Sequence, residues 1–110
     1  MRVVIQRVTE ASVTVKENVV GQIKKGLLCL VGIGQDDTAE DVEFISRKIL
    51  NTKFWPNAKG QAWKSSVLTE SAQVLVVSQF TLHGCLNGNS IDFRRASKCK
   101  ILFFFFQTVF

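Results

Sequence analysis

One proline, one histidine, three cysteines and no tyrosine are what this 110-residue chain has to work with. Pro56 is the lone proline and the seven glycines are spread along the chain, so nothing marks a linker, a second domain or an internal repeat. Cys29, Cys85 and Cys99 are odd in number, widely spaced and form no CxxC pair. That spacing excludes a disulfide framework and a zinc site, and no metal or other cofactor is expected. Cys29 lies inside an apolar run and reads as a buried small hydrophobe. Gly32 and Gly34 lead into Gln35-Asp36-Asp37, without the lysine that a phosphate-binding loop requires. His83 is a lone imidazole with no partner in reach along the chain and reads as a surface residue rather than a catalytic one. No basic-then-apolar leader opens the sequence, from which a cytosolic protein is expected.

What is present is a core. Apolar residues make up 46% and charged ones 21%, which excludes a chain disordered as a whole and suits one domain. The net charge of +5 is unevenly placed along the sequence: every acidic residue lies at or before Asp92. The stretch from residue 1 to 92 is close to neutral, and Arg94, Arg95, Lys98 and Lys100 form a basic cluster beyond it. A solvated charge run is the first reading of that cluster and contact with RNA the second.

Period-two and continuous apolar patterns predict strands over Arg2 to Val8, Ala11 to Val15, Val19 to Ile23, Leu27 to Ile33 and Val74 to Leu82. Thr38-Ala-Glu-Asp41 matches a capping pattern, and Val42, Ile45, Ile49 and Leu50 recur at helical spacing, so Ala39 to Asn51 is predicted as an amphipathic helix. Lys53 to Trp55 reads as a short strand, Trp63 to Leu68 as irregular or a strand edge, and His83 to Phe93 as a loop. Leu28, Leu30, Ile45, Ile49, Leu75 and Val77 are expected in the core of an α+β domain, a mostly antiparallel sheet with the helix on one face. Residues 98 to 110, KCKILFFFFQTVF, are too few to span a bilayer and read as a divergent apolar tail, an aggregation hazard if exposed. No membrane partner is expected.

The stretch VLVVSQFTL, Val74 to Leu82, runs a buried strand into Ser78, Gln79, Phe80 and Thr81. A strand end is a rigid mount for hydroxyls, an amide and backbone N–H groups. No histidine or carboxylate adjoins Thr81 in sequence to act as its base, so backbone N–H donation, at Phe80 in particular, is the favoured chemistry. Ser78 to Thr81 are expected to line an open concave surface.

With MRVVIQRVTEASVTV, GLLCLVGIGQDDT and FISRKILNTKFW ahead of SQFTL, residues 1 to 97 resemble the D-aminoacyl-tRNA deacylase family, also called D-tyrosyl-tRNA deacylase, most closely its eukaryotic branch. The resemblance implies hydrolysis of the ester joining a D-amino acid to tRNA, a proofreading step in the cytoplasm, performed by a homodimer. It makes Ser78, Gln79, Phe80 and Thr81 the catalytic motif, with the substrate's own 2′-hydroxyl taking part in the chemistry. Gly88, Asn89, Asp92 and Phe93 match the family's substrate-binding loop, and Arg7 matches an arginine that supports the site by holding a Gly-Pro element. That element, N-x-G-P-V-T, does not occur in these 110 residues, which read as a deacylase-like domain over 1 to 97 and C-terminally truncated. The alternative reading is a catalytically deficient truncated form, at most a dimerisation or weak tRNA-binding module.

Overall fold

The computed structural model describes residues 1–97, so the apolar tail, Lys98, Cys99 and Lys100 lie outside the described residues. The chain runs β1 (Arg2–Val8), β2 (Ala11–Val15), β3 (Asn18–Ile23), β4 (Gly26–Gly32), α1 (Ala39–Asn51), β5 (Lys53–Trp55), β6 (Ser65–Ser66), β7 (Gln73–Ser78), a 3₁₀ turn (Phe80–His83), β8 (Cys85–Asn87) and β9 (Ser90–Asp92). β1, β4 and β7 form a three-stranded sheet with β4 in the middle, and β2–β3, β5–β6 and β8–β9 are antiparallel pairs. The class is α+β, as the sequence predicts.

β4 sits in the centre because it is apolar on both faces. Leu27, Cys29 and Val31 are fully buried while Leu28 and Leu30 are half-buried, the reverse of the expected parity. A run without polar residues does not mark which face is the deeper one, so the alternation had no tell. The same holds for Leu75 and Val77 in β7, which are half-buried rather than buried. Full burial of Leu27 and Val31 contributes about 1.5–3 kcal/mol each. The Cys29 thiol, shut away with them, is pushed up to about 12 by burial and is chemically inert.

The helix has the predicted bounds. The Asp41 carboxylate accepts from the Thr38 N–H at 2.8 Å and from its hydroxyl at 3.3 Å, which closes the first turn. Its buried stripe is Val42, Ser46 and Ile49, with Ile45 half-buried. Ser46 is tolerated there because its hydroxyl donates to the Val42 carbonyl at 2.7 Å.

Packing divides the molecule into two compact units. One comprises Met1–Val4, Leu30–Ser46 and the described residues from Val76 on; the other comprises Ile5–Cys29 and Arg47–Leu75. The first unit holds the end of β7, the 3₁₀ turn and the β8–β9 hairpin. The second holds the β2–β3 and β5–β6 pairs. In the second unit Gly26 lies so near Gln73 that a Cβ there would stand 1.9 Å from the Gln73 carbonyl oxygen. Glycine is required by that close approach.

Candidate active site

The strand predicted to continue to Leu82 ends at Ser78. Gln79 still donates its N–H to the Val31 carbonyl at 2.8 Å, and the chain then curls into the turn Phe80–His83. Leu82 N–H to Gln79 O at 3.2 Å and Gly84 N–H to Thr81 O at 3.0 Å close the curl. None of these three bonds uses the N–H of Phe80 or Thr81.

Two glycines of the neighbouring segment make room for the curl. A Cβ on Gly32 would meet Leu82 Cβ at 2.8 Å and the Gln79 carbonyl oxygen at 3.0 Å, and one on Gly34 would meet the His83 ring at 3.2 Å. These glycines, set aside as no phosphate loop, serve the SQFT turn instead. His83 is 8% exposed, not a surface residue, and its Nε2 lies 2.9 Å from the Gly32 carbonyl oxygen. Its committed ring nitrogen makes it a tie for the turn rather than a base for Thr81.

The Gln79 side-chain amide donates to the Thr81 hydroxyl oxygen, so the threonine oxygen is occupied by a donor. Phe80 is 55% exposed and its ring meets Phe93 edge-on, centroids 5.3 Å apart. The structure thereby brings a residue of the SQFT segment, expected to be catalytic, against one of the substrate-binding candidates.

The segment expected as a loop is a hairpin. Cys85 pairs with Asp92, Leu86 with Ile91 and Asn87 with Ser90, leaving Gly88-Asn89 as a two-residue tip. Gly88 has φ +61°, the conformation that such a tip asks of its first residue. The Gly-Asn dipeptide Gly88-Asn89 was the signal in the sequence, masked by the run of small polar residues around it. Gly88 and Asn89 stand three residues along the strand from Asp92, about 10 Å away, so the four loop candidates do not converge on one point. Asp92 is engaged already. The Arg94 guanidinium and backbone N–H both bind its carboxylate, the latter at 2.8 Å, and hold it below the usual carboxylate range.

Residues that the sequence reading missed line an open depression of about 340 Å³ in the same unit: Met1, Asp37 and His83, with Gly34, Gln35, Asp36 and Arg95. The Met1 ammonium meets Asp37 Oδ1 at 2.7 Å, and Asp37 Oδ2 accepts from the Gly34 N–H at 2.6 Å. A second depression of about 320 Å³ is lined by Cys85, Leu86, Asn87, Asp92, Arg94 and Arg95. Ser78 to Thr81 are not among the residues that line these two depressions.

Arg7 belongs to the second unit and is far from a bare solvated charge. Its Nη1 donates to the Phe54 carbonyl at 2.8 Å, and its guanidinium lies 5.7 Å from the centre of the Trp63 ring.

Comparison with known proteins agrees with this architecture. A solved structure described as c-Myc DNA Unwinding Element Binding Protein superposes with a TM-score of 0.89 at 38% identity, covering 99% of this chain and 73% of that one. A second, a probable eukaryotic D-amino acid tRNA deacylase, shares the fold with a TM-score of 0.75 at 17% identity, covering 97% and 67% of the two chains. D-aminoacyl-tRNA deacylases of Dictyostelium discoideum and Brevibacillus brevis are 50% and 48% identical over 97 and 99 residues. The aligned parts are 87% and 89% of this chain and 64% and 68% of theirs, so the chain spans about two thirds of the length of these curated relatives. The profile of D-Tyr-tRNA(Tyr) deacylase matches residues 4–109, and to that family this chain belongs.

Proposed function

We propose that the chain hydrolyses the ester bond of D-aminoacyl-tRNA, releasing free D-amino acid and tRNA. The observation that carries this reading is the turn after β7. It leaves the Phe80 and Thr81 N–H groups outside the three bonds that close it, beside an exposed aromatic pair. In the attack on the ester carbonyl, negative charge develops on the carbonyl oxygen. A backbone N–H aimed at it needs no pKa tuning and stabilises the tetrahedral species by about 3 kcal/mol per donor. Thr81 accepts from Gln79 and has no base at hand, so it orients rather than attacks. Water supplies the oxygen that leaves with the free amino acid, and the 2′-hydroxyl of the terminal adenosine, next to the ester, orients that water and relays its proton to the departing 3′-oxygen. Gly88, Asn89 and Phe93 are assigned to substrate contact and Arg7 to support of the site.

The reading carries with it tRNA binding, a cytosolic setting and pairing of two copies of the chain, each supported by the family resemblance. Among the described residues no helix is long and apolar enough to cross a membrane. The direct test is deacylation of matched D- and L-aminoacyl-tRNA by the 110-residue chain. Release of the D-amino acid above the uncatalysed rate supports the assignment, and its absence at high enzyme concentration removes it. Because the sequence holds no Gly-Pro element, discrimination between D- and L-substrates by this chain is expected to be poor.

A further inference from the structure

We propose that Trp63, with the acid-free segment around it, is a docking site for an unpaired nucleobase and its flanking phosphates at the acceptor end of tRNA. The inference rests on the assignment of aminoacyl-tRNA as substrate and places its docking surface on the second unit.

Charge makes the first argument. The second unit carries nine Lys and Arg residues against three Asp and Glu, a net of +6. The described part of the first unit carries three against six, a net of −3. Read along the chain the body looked neutral; read by unit it is polarised. Between Glu43 and Glu70 there is no acidic residue, while Arg47, Lys48, Lys53, Lys59 and Lys64 fall in that interval. A polyanion is the partner such a surface fits.

Trp63 itself is held outward by its neighbours. It is 64% exposed, and its backbone has φ +58°, a left-handed conformation that is rare and strained for a bulky residue. Trp55, in the same hairpin, is 8% exposed, so burial was available to a tryptophan here. The display is built from both sides. Asn57 shapes the preceding loop, its side-chain oxygen accepting from the N–H groups of Lys59 and Gln61 at 3.0 Å each and its amide donating to the Gln61 side chain at 2.9 Å. Lys64 N–H then donates to the Trp55 carbonyl at 2.8 Å and pins the residue after Trp63. Arg7, fixed by Phe54, sets its cation against the indole. An exposed indole beside a guanidinium, flanked by exposed Lys59 and Lys64, is the arrangement by which single-stranded nucleic acid is stacked and neutralised.

The test titrates the 110-residue chain with deacylated tRNA over a salt series, following anisotropy, with circular dichroism to confirm each variant's fold. Trp63→Ala should weaken binding between about fivefold and a hundredfold and leave the salt slope unchanged, whereas Trp63→Phe should keep most of the affinity. Lys59→Ala with Lys64→Ala should lower the slope by about 1.5, for two lost phosphate contacts. Trimming the unpaired 3′ nucleotides should cost the wild type at least what Trp63→Ala costs, and should cost that variant less than it costs the wild type. Wild-type affinity in Trp63→Ala, additive losses from trimming and mutation, or no tRNA binding at any salt would each overturn the site, the last pointing to a protein partner instead. Hydrolysis is followed in parallel. If Trp63→Ala binds and cleaves D-aminoacyl-tRNA like wild type, docking at Trp63 fails and the deacylase reading stands. Trp63-dependent binding without any hydrolysis keeps the docking site and retracts the deacylase reading.

Discussion

The two units use similar means for opposite ends. In the described part of the first, acids outnumber bases and charges are consumed locally: Asp37 by Met1 and Gly34, Asp41 by Thr38, Asp92 by Arg94. In the second, cations outnumber acids threefold, and Lys25–Glu70 at 2.9 Å is the ion pair found there among the described residues. The first unit is organised to hold a turn in place, with glycines admitting side chains and a buried imidazole tying the curl. The second is organised to present side chains outward. The two proposed tasks, fixing a reacting ester and docking a polyanion, ask for different physics: an electropositive face gains from long-range attraction while a preorganised turn gains from short, fixed contacts.

That division can be broken from either side. The largest effect is expected from the substrate itself: tRNA ending in 2′-deoxyadenosine should be cleaved about 10²–10⁴-fold more slowly, since the group that orients the water and relays its proton is gone. Thr81→Ala should cost less than about tenfold in the same single-turnover assay, and a loss as large as the deoxy substrate's would return Thr81 to the role of nucleophile. Next come the close approaches. Gly26→Ala should destabilise the second unit by at least about 3 kcal/mol, because its Cβ would collide with backbone at 1.9 Å. Gly32→Ala should cost about 1–3 kcal/mol in urea unfolding and reduce deacylation further than its stability loss explains, because it pushes on the Gln79–Leu82 turn. Neutralising Arg95 should change the salt slope of tRNA binding by less than the Lys59 and Lys64 pair does. An equal or greater change would move the docking surface to the first unit.

The smallest effect concerns acid. The Lys25 ammonium holds the Glu70 carboxyl below its ordinary value, and Arg94 does the same for Asp92. A depressed carboxyl stabilises the fold above the ordinary carboxylate range and loses that contribution as pH falls through its lower folded value. Melting temperature followed from pH 7 to about 3 should therefore fall on the acid side. Glu70→Gln should flatten that fall slightly, because exposed pairs of this kind contribute little.

Local signals carried a long way. The Thr38–Asp41 cap and the 3.6-residue period set the helix at Ala39–Asn51, and alternation with β-branched residues set β1 and β2. Cys29 was legible as a buried hydrophobe from its apolar neighbours. What stayed hidden is what depends on partners distant in sequence. Which face of β4 is deep is decided by what packs on it, and a run such as Leu27 to Val31 looks the same either way. β7 stops at Ser78 because Gly32 and Gly34, more than forty residues earlier, admit the curl and the His83 ring. The hairpin at Cys85–Asp92 lacks the apolar alternation that usually announces strands. The opposite charges of the two units disappear in a sequence-order count, since each unit is assembled from separated stretches. Of the candidate site, the motif Ser78–Thr81 could be picked out by its chemistry, whereas the contact of Phe80 with Phe93 could not.

The Gly88-Asn89 tip has a consequence for how this scaffold can diversify. A Cβ placed on Gly88 would meet nothing within 4 Å, so among the described residues nothing crowds that position. Phe93, at the opposite end of the hairpin, is anchored against Phe80. Provided Gly88 keeps the left-handed conformation that glycine allows, residues can be inserted beside it or exchanged at Asn89 while the anchored end, and with it the Phe80–His83 turn, keeps its place. The hairpin is thus an evolvable arm: its far end is open to drift at little cost to the packing at its root.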